Sequence, residues 1–507
     1  MSHPLRADIS YDRGLALSRQ GKHAEAIACF ERALATDPND ARVLFALGNT
    51  ARALGMIKPA ESFYRRVLAE EPNRLEALIN LANLLRANAQ LAAATALLEP
   101  ALVQDPQSAE IWLTLGTVLR DSGDLSAAEE HYRKALALKP GYVAAQSNLA
   151  DMLATHGAYD EALALYDRAI HGDPENPQPH LNRAILHLLR GNLKDGWRDY
   201  AARLKVAGKT PVCDHRLPAW TGGSLVNKTL LVTAEQGVGD QLMFASLIPE
   251  LSRRAAEEGG SVILECEPRL VSLFARSFPG VTVCASKMES RAGAIHAHYD
   301  WLKSVGGANL AIEIGTLPRY LRKDITSFSS PHAYLDADEA EILNWQHTLS
   351  QSADGPFVGI CWRSGKMTNG RSLQFAPLET WAEFIRDMPG TPVSIQYDAS
   401  AEEIETFAQL AGRPVIAPGG IDQKNELDRT CALMSALDAV VSAPTAVSWL
   451  SAGAGVPTFK ILYDNSWTSF GEKHEPFAPS CVCVMPQARG DWSDVFDQVL
   501  QGLNSRF

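Results

Sequence analysis

TLLVTAEQGVGDQLMF, residues Thr229 to Phe244, decides how the second half of the chain is read. Thr229 to Thr233 is apolar and β-branched, long enough for one buried parallel strand. It runs straight into Glu235, Gln236, Gly237, Val238, Gly239 and Asp240, after which an amphipathic run begins. Open α/β sheets place their ligands in polar, glycine-bearing loops of this kind, at the carboxyl ends of strands. Gly237 and Gly239 let the backbone approach a bound group, and free amides at the following helix start favour an anion. Asp240 falls at that helix start, facing the crevice. The plainer alternative is an ordinary strand-to-helix turn with Asp240 as its cap.

A chain of 507 residues exceeds one ordinary core and predicts two to four units, at roughly 100–200 residues per domain. Its 46% hydrophobic and 21% charged residues are those of a globular protein. A formal charge of −12 argues against nonspecific nucleic-acid binding, which depends on Lys and Arg neutralising phosphates. The eight cysteines lie scattered in apolar segments with no CxxC pair, as expected for reduced cysteines of a cytoplasmic protein. The first residues lack the apolar core of a signal peptide. Ala436 to Leu462, the most apolar long region, is interrupted by prolines and glycines, so no membrane span is expected.

Up to about residue 206 one period dominates. Pro38, Pro72, Pro106, Pro140 and Pro174 are each 34 residues apart. Ala26, Ala60, Ala94, Ala128 and Ala162 form a second column, and Phe30, Tyr64, Leu98, Tyr132 and Tyr166 a third. Gly14, Gly48, Ala82, Gly116 and Ala150 supply a fourth, of small residues. Each unit reads as two antiparallel helices: the small residue lets the helices approach, the aromatic fills the gap between repeats and proline ends the unit. The pattern resembles the tetratricopeptide repeat, best seen in Trp112, Leu115, Gly116, Ala128, Tyr132, Ala135 and Pro140. Five repeats span residues 7–176, and a degenerate sixth carries Trp197 and Tyr200.

A curved solenoid presents its first helices as a groove. On them Asn49, Asn83, Thr117 and Asp151 recur at one position, and Arg52, Arg86 and Arg120 recur three residues later. Phe45, Ile79 and Leu113 form an apolar stripe beside them. Asn ladders pair with a peptide backbone without reading its sequence, and an Arg column adds a preference for acidic segments. This face is therefore expected to bind a protein partner; the competing reading is a solvated face with pairs inside each helix.

Residues 207–227, with Pro211, Pro218, Gly222 and Gly223, read as a linker. From 228 strands and helices alternate. Thr229 to Thr233, Ser261 to Glu265, Val281 to Cys284 and Asn309 to Glu313 predict one doubly wound sheet over 228–330. A polar bridge, 331–355, leads to a second sheet over 356–507, with strands from Phe357, Pro392, Val415, Ala439 and Thr458 and a closing helix at Trp492 to Leu503.

In that second unit Arg363, Ser364, Lys366 and Arg371 follow a strand around a glycine turn, which suits a phosphate. Ser442, Pro444, Thr445 and Ala446 lie where a buried strand meets a helix start, an anion site built from free amides and a hydroxyl. Asn425, Glu426 and Asp428 open another helix and are available to ribose hydroxyls. Each could equally serve as a cap.

Residues 228–505 resemble the GT-B glycosyltransferase domain, related to lipopolysaccharide heptosyltransferases, that follows tetratricopeptide repeats in some bacterial proteins. The matching segments are Ala234 to Asp240 (AEQGVGD), Val358 to Gly365 (VGICWRSG) and Leu437 to Ala446 (LDAVVSAPTA). The resemblance implies two Rossmann-like halves with a nucleotide-sugar cleft between them, the donor chiefly on the second half, and Asp240 as base. Where many relatives read Asp-Thr-Ala followed by His, this chain has Pro444, Thr445 and Ala446 and then Trp449, so the donor need not be a heptose.

The variant is similar to flagellin glycosyltransferases, which place a nonulosonic acid such as pseudaminic acid from a CMP donor on Ser or Thr. That implies a motility role with flagellin in the repeat groove. Asp240, or alternatively Glu235, would deprotonate the acceptor hydroxyl, while Arg363, Lys366 and the Thr445 helix start stabilise the leaving phosphate. No metal or other cofactor beyond the nucleotide sugar is expected. The triplet Asp336, Ala337, Asp338 reads as a cap. Two alternatives remain: a peptide O-glycosyltransferase using UDP-N-acetylglucosamine, and a non-catalytic adaptor or chaperone for a protein client.

Overall fold

The computed structural model describes residues 3–206, 211–235, 237–291, 294–328, 333–365, 374–488 and 490–507. The chain divides into two compact units, residues 1–179 and 180–507.

The first unit is an array of antiparallel helix pairs, from His3–Arg19 with His23–Leu34 to Val143–Thr155 with Tyr159–Gly172. The columns in the sequence have a direct steric origin. A Cβ built on Gly48 would lie 2.7 Å from the Tyr64 ring, and one on Gly14 would lie 2.5 Å from Phe30. Ala26, Ala60, Ala94, Ala128 and Ala162 are fully buried, as are Phe30, Tyr64, Leu98 and Tyr132. The aromatic of each second helix thus seats on the small residue of the first, and the repeats share a continuous core.

The second unit contains two largely parallel sheets. Its strands are β1 (Val212–Cys213), β2 (Thr229–Thr233), β3 (Ser261–Cys266), β4 (Thr282–Ala285), β5 (Met288–Arg291), β6 (Ala294–Ala297) and β7 (Leu310–Glu313). They continue with β8 (Phe357–Cys361), β9 (Thr391–Ser394), β10 (Ala439–Ser442), β11 (Thr458–Ile461), β12 (His474–Glu475) and β13 (Ala478–Val484). The first sheet has the order β4-β3-β2-β7, with every pair parallel. The second runs β12-β13-β11-β10-β8-β9 and is parallel except for the β12-β13 hairpin. Strands buried on both faces are mainly apolar, and β2, β8 and β10 are so apart from Thr229, Thr233 and Ser442. A small third sheet, β1-β6-β5, was not anticipated; its short, exposed strands lack the apolar run that marks the others. In place of the strand expected from Val415, Ile416 alone makes an isolated bridge to Val393.

The segments around the expected boundaries carry structure of their own. Most of the degenerate sixth pair, including the whole of helix Leu193–Tyr200, belongs to the second unit, so the division falls at 179/180 instead of 206. The cause is Trp197, 3% exposed and packed edge-on against Tyr200, Phe244, Trp467, Phe470 and Phe477. The 207–227 segment is only partly a linker. Its Val212–Cys213 pairs with β6, and Trp220, also 3% exposed, donates its backbone N–H to Ala311 O at 2.8 Å. The polar bridge contains a helix, Glu339–Ser352, that buries Trp345 and Leu349. Asp338 caps it by accepting from Glu341 N, as read from the sequence.

No helix among the described residues is long and apolar enough to cross a membrane. Replacing Gly48 by Val drives two methyl groups into Tyr64. A loss of about 1–3 kcal/mol is expected in the unfolding of the repeat array, read by chemical denaturation, and an unchanged midpoint would contradict the steric account of the columns.

Candidate functional site

The two large sheets bring their carboxyl ends together. β2 ends at Thr233 and its loop enters helix Val238–Ala245, capped by Gly237. β10 ends at Ser442, and its turn enters helix Ala446–Gly453. A Cβ on Gly239 would sit 3.7 Å from Ala446 Cα and 3.7 Å from Trp449 Cδ1. Two helix starts from opposed sheets therefore meet at van der Waals distance, with Asp240 at the seam.

Asp240 keeps part of its surface open to solvent, yet protein crowds closely around it. That crowding, reinforced by the nearby Glu235 charge and opposed by Arg203, pushes its carboxyl up to about 6. Its Oδ2 lies 2.9 Å from where a Gly237 Cβ would stand, so glycine there leaves the carboxylate room.

Glu235, the alternative base, is committed elsewhere. Its Oε1 accepts from Arg203 Nη2 at 2.6 Å and from Gly315 N at 3.2 Å. Arg203, with its side chain 9% exposed, also donates to Thr316 Oγ1 at 3.0 Å. A Cβ on Gly315 would meet Glu235 Oε1 at 2.6 Å and Arg203 Nη2 at 2.9 Å, so the ion pair needs glycine at that position. Neither Arg203 nor Gly315 stood out in the sequence, because their partners are 32 and 80 residues away.

Two further buried groups, also missed, brace the sheet ends. Glu265 at the end of β3 accepts from Ala234 N at 3.1 Å and from the Tyr299 hydroxyl at 3.0 Å. Burial raises its carboxyl, and Oε1 has no partner. Lys460 on β11 lies beside Ser442 in register. Its Nζ is 2.5 Å from Glu475 Oε1 and 4.7 Å from the centre of the Trp449 ring. A lysine inside the apolar run Pro457 to Leu462 was the available signal: a charge on a buried strand demands a partner.

The expected donor residues divide sharply. Thr445 is the N-cap of helix Ala446–Gly453, accepting from Val447 N at 3.3 Å, so the helix starts two residues after Pro444. Ser442 is fully buried and donates to Ala443 O. Arg363 is not a free cation. It makes two bonds to Glu403, at 2.9 and 2.7 Å, and one to Asp398 at 2.9 Å, while Gln396 Oε1 accepts from the amides of Trp362 and Arg363. Ser364 follows it in the turn. Gln236, Lys366 and Arg371 lie outside the described residues.

Asn425, Glu426 and Asp428 also have other duties. Asn425 Nδ2 donates to Asp422 Oδ2 at 2.7 Å, and Glu426 accepts from Asp422 N and pairs with Arg429. Asp428 pairs with Arg276, which also donates to Asp336 O at 2.6 Å. Together with Arg269 Nη1 to Lys424 O at 2.7 Å, these bonds fasten the two sheet-bearing halves to each other. They are structural links, not open ribose contacts. Among the described residues no group of three or more His, Cys, Asp or Glu is disposed to hold a metal.

Comparison with known proteins bears on the first unit most directly. Residues 5–69, 79–143, 113–177 and 148–208 match family models described as tetratricopeptide repeat. The amino-terminal unit is a tetratricopeptide-repeat array. Among curated proteins, Protein FlbA of Caulobacter vibrioides is 31% identical over 370 residues, covering 72% of this chain and 62% of FlbA. The chain thus spans less than two thirds of that relative's length. The match is longer than the repeat region, so it includes part of the α/β unit. Among solved structures, a thermophilic tetratricopeptide-repeat protein of Thermus thermophilus shares 27% identity over 36% of this chain and 99% of its own, with a TM-score of 0.32. PilF of Pseudomonas aeruginosa shares 21% identity, covering 40% and 93%, with a TM-score of 0.35.

Within the tetratricopeptide repeats the expected groove residues are partly internal. Asn49 Oδ1 accepts from the Tyr64 hydroxyl at 2.7 Å and from Asn80 Nδ2 at 2.9 Å. Thr117, buried, takes the same role toward Tyr132 and Asn148, and Asp151 accepts from Tyr166. Asn49 and Thr117 thus bond both within their own helix pair and to the next repeat, while Asp151 bonds within its own pair. Leu113 is buried, whereas Phe45, Ile79 and Asn83 are half-buried and Arg52 is exposed. Arg86 and Arg120 both pair with Asp121, at 2.7 and 3.0 Å, which weakens the acidic preference read from them.

Arg203→Met leaves Glu235 with its charge in a largely enclosed place, and a loss of about 3–5 kcal/mol from the second unit is expected. Adding Glu235→Gln should recover much of it, in a double-mutant cycle read by chemical denaturation. Equal loss in single and double variants would mean that packing, not charge pairing, is what Arg203 provides.

Proposed function

We propose that the second unit is a metal-independent GT-B glycosyltransferase that modifies serine or threonine of a protein held by the tetratricopeptide repeats. The observation that carries this reading is the meeting of Gly239 with Ala446. It joins the carboxyl ends of two opposed parallel sheets, the place where α/β folds bind ligands, and sets a carboxylate of raised affinity for protons at the seam. In this reading the acceptor hydroxyl attacks the anomeric carbon, its proton passes to Asp240, and the nucleotide leaves with its phosphate over the Thr445 helix start. Glu235, bonded to Arg203, positions the loop and is not the base. The donor is taken to be a CMP-linked nonulosonic acid and the acceptor flagellin, on the resemblance of the three segments named above.

Intact-mass analysis of flagellin incubated with this protein and CMP-pseudaminic acid tests the whole reading. A gain of one sugar is expected, lost in Asp240→Asn and in a form lacking the repeats. No gain with this donor, nor with UDP-N-acetylglucosamine, alongside tight flagellin binding, would favour the adaptor reading. The pairing of Arg363 with Glu403 and Asp398 is the observation on that side.

A base must be ionised to accept a proton. With its carboxyl near 6, Asp240 is expected to give a turnover that rises with pH through about 6 and levels above it. Arg203 opposes the shift, so Arg203→Met should move this rise to higher pH. A rise unmoved by that change would assign it to another group.

A further inference from the structure

A cavity of about 540 Å³ lies on the second unit, lined by Lys194, Trp197, Arg198, Arg319, Arg322 and Lys323. Five of its six lining residues are cations, in a chain whose formal charge is −12. None of them belongs to the candidate site described above.

The cations are not equivalent. Arg198 is neutralised by Asp195 and Asp199, at 2.7 and 2.9 Å. Arg322 pairs with Glu250 at 2.6 Å through Nη1, which also donates to Leu321 O. Lys194, Arg319 and Lys323 are exposed and have no ion-pair partner among the described residues. Like charges gathered without counter-ions repel one another, and nothing in packing requires three of them at one cavity mouth.

The wall adds a second observation. The Arg322 side chain is only 3% exposed, yet its Nε has no hydrogen-bond partner. Trp197, in the same wall and equally buried, has an unpartnered Nε1. Both atoms are sealed from solvent, so they back the cavity wall and leave the exposed cations to meet a ligand.

We propose that this cavity binds a small polyanion carrying two or three negative charges on phosphate or carboxylate groups. Its oxyanion groups meet the exposed side chains of Lys194, Arg319 and Lys323. The number of uncompensated cations sets the charge, and the cavity volume limits the ligand to small-molecule size. The site stands apart from the transferase reading and does not depend on it.

The test is calorimetric titration of the full chain with pyrophosphate and, separately, with citrate, at low and raised salt. Binding of pyrophosphate, weakened by salt, is expected, and citrate distinguishes a phosphate site from a general polyanion site. The variant Lys194→Glu/Arg319→Glu/Lys323→Glu changes only exposed side chains. It should keep its thermal midpoint while weakening binding by about tenfold or more, a change of about 1.4 kcal/mol. Thr445→Ala, at the candidate transferase site, should leave the affinity unchanged. Absence of binding to the unaltered chain, or an unchanged affinity in the triple variant, would overturn the proposal, whatever becomes of the glycosyltransferase activity.

Discussion

The second unit depends on the seating of one indole. Trp197 lies at the end of what the sequence periodicity makes a repeat helix, but its ring is enclosed by Phe244, Trp467, Phe470 and Phe477. These come from the first sheet's leading helix and from the segment between β11 and β13. Burying so large an apolar surface, with several edge-on ring contacts, outweighs any tendency of this helix pair to remain an ordinary repeat. Gly196 completes the arrangement: a Cβ there would lie 2.6 Å from Leu188.

One turn further on, that seating delivers a charge. The residues after Tyr200 form a short 3-10 helix that carries Arg203 to Glu235, Gly315 and Thr316. The loop following β2 is thus held from a segment outside both sheets. Tyr334 links further parts of the unit, bonding Gly453 O through its backbone amide and Leu242 O through its hydroxyl. Asp428 with Arg276, and Lys424 O with Arg269, close the other side. Loop, bridge and helix starts are fixed to one another by polar contacts that each span long stretches of chain.

This explains which parts were legible in the sequence. The repeats were, because the contact between Gly48 and Tyr64 recurs at one fixed spacing and leaves a periodic trace. The principal strands were, because β2, β8 and β10 are short runs of mainly apolar residues. Asp240 was visible because a carboxylate after a glycine loop and a buried strand has few structural reasons to be there. Arg363, Asn425, Glu426 and Asp428 were assigned to a ligand because their protein partners, Glu403, Asp398, Asp422 and Arg276, leave no local mark. Glu265 and Lys460 were overlooked for the converse reason. Polar residues inside apolar runs look like noise until Tyr299 and Glu475 are seen beside them. The Asn49, Thr117 and Asp151 column was correctly periodic but wrongly directed: sequence spacing gives a shared position, while hydrogen bonds to Tyr64, Asn148 and Tyr166 decide where the side chains turn.

Charge pairing around the seam leads to one further consequence. Arg363, Lys460 and Arg276 each hold a carboxylate of their own, so none has an unshared charge to offer Asp240. Arg203 is the cation that acts on it, and Arg203 makes its direct contact with Glu235. One guanidinium thus serves two neighbouring carboxylates in a crowded place. Burial first raises the affinity of Asp240 for protons, the nearby Glu235 charge adds to it, and Arg203, bonded to Glu235, only moderates the rise. The short 3-10 helix that follows the repeat helix thereby moderates Asp240 through Arg203.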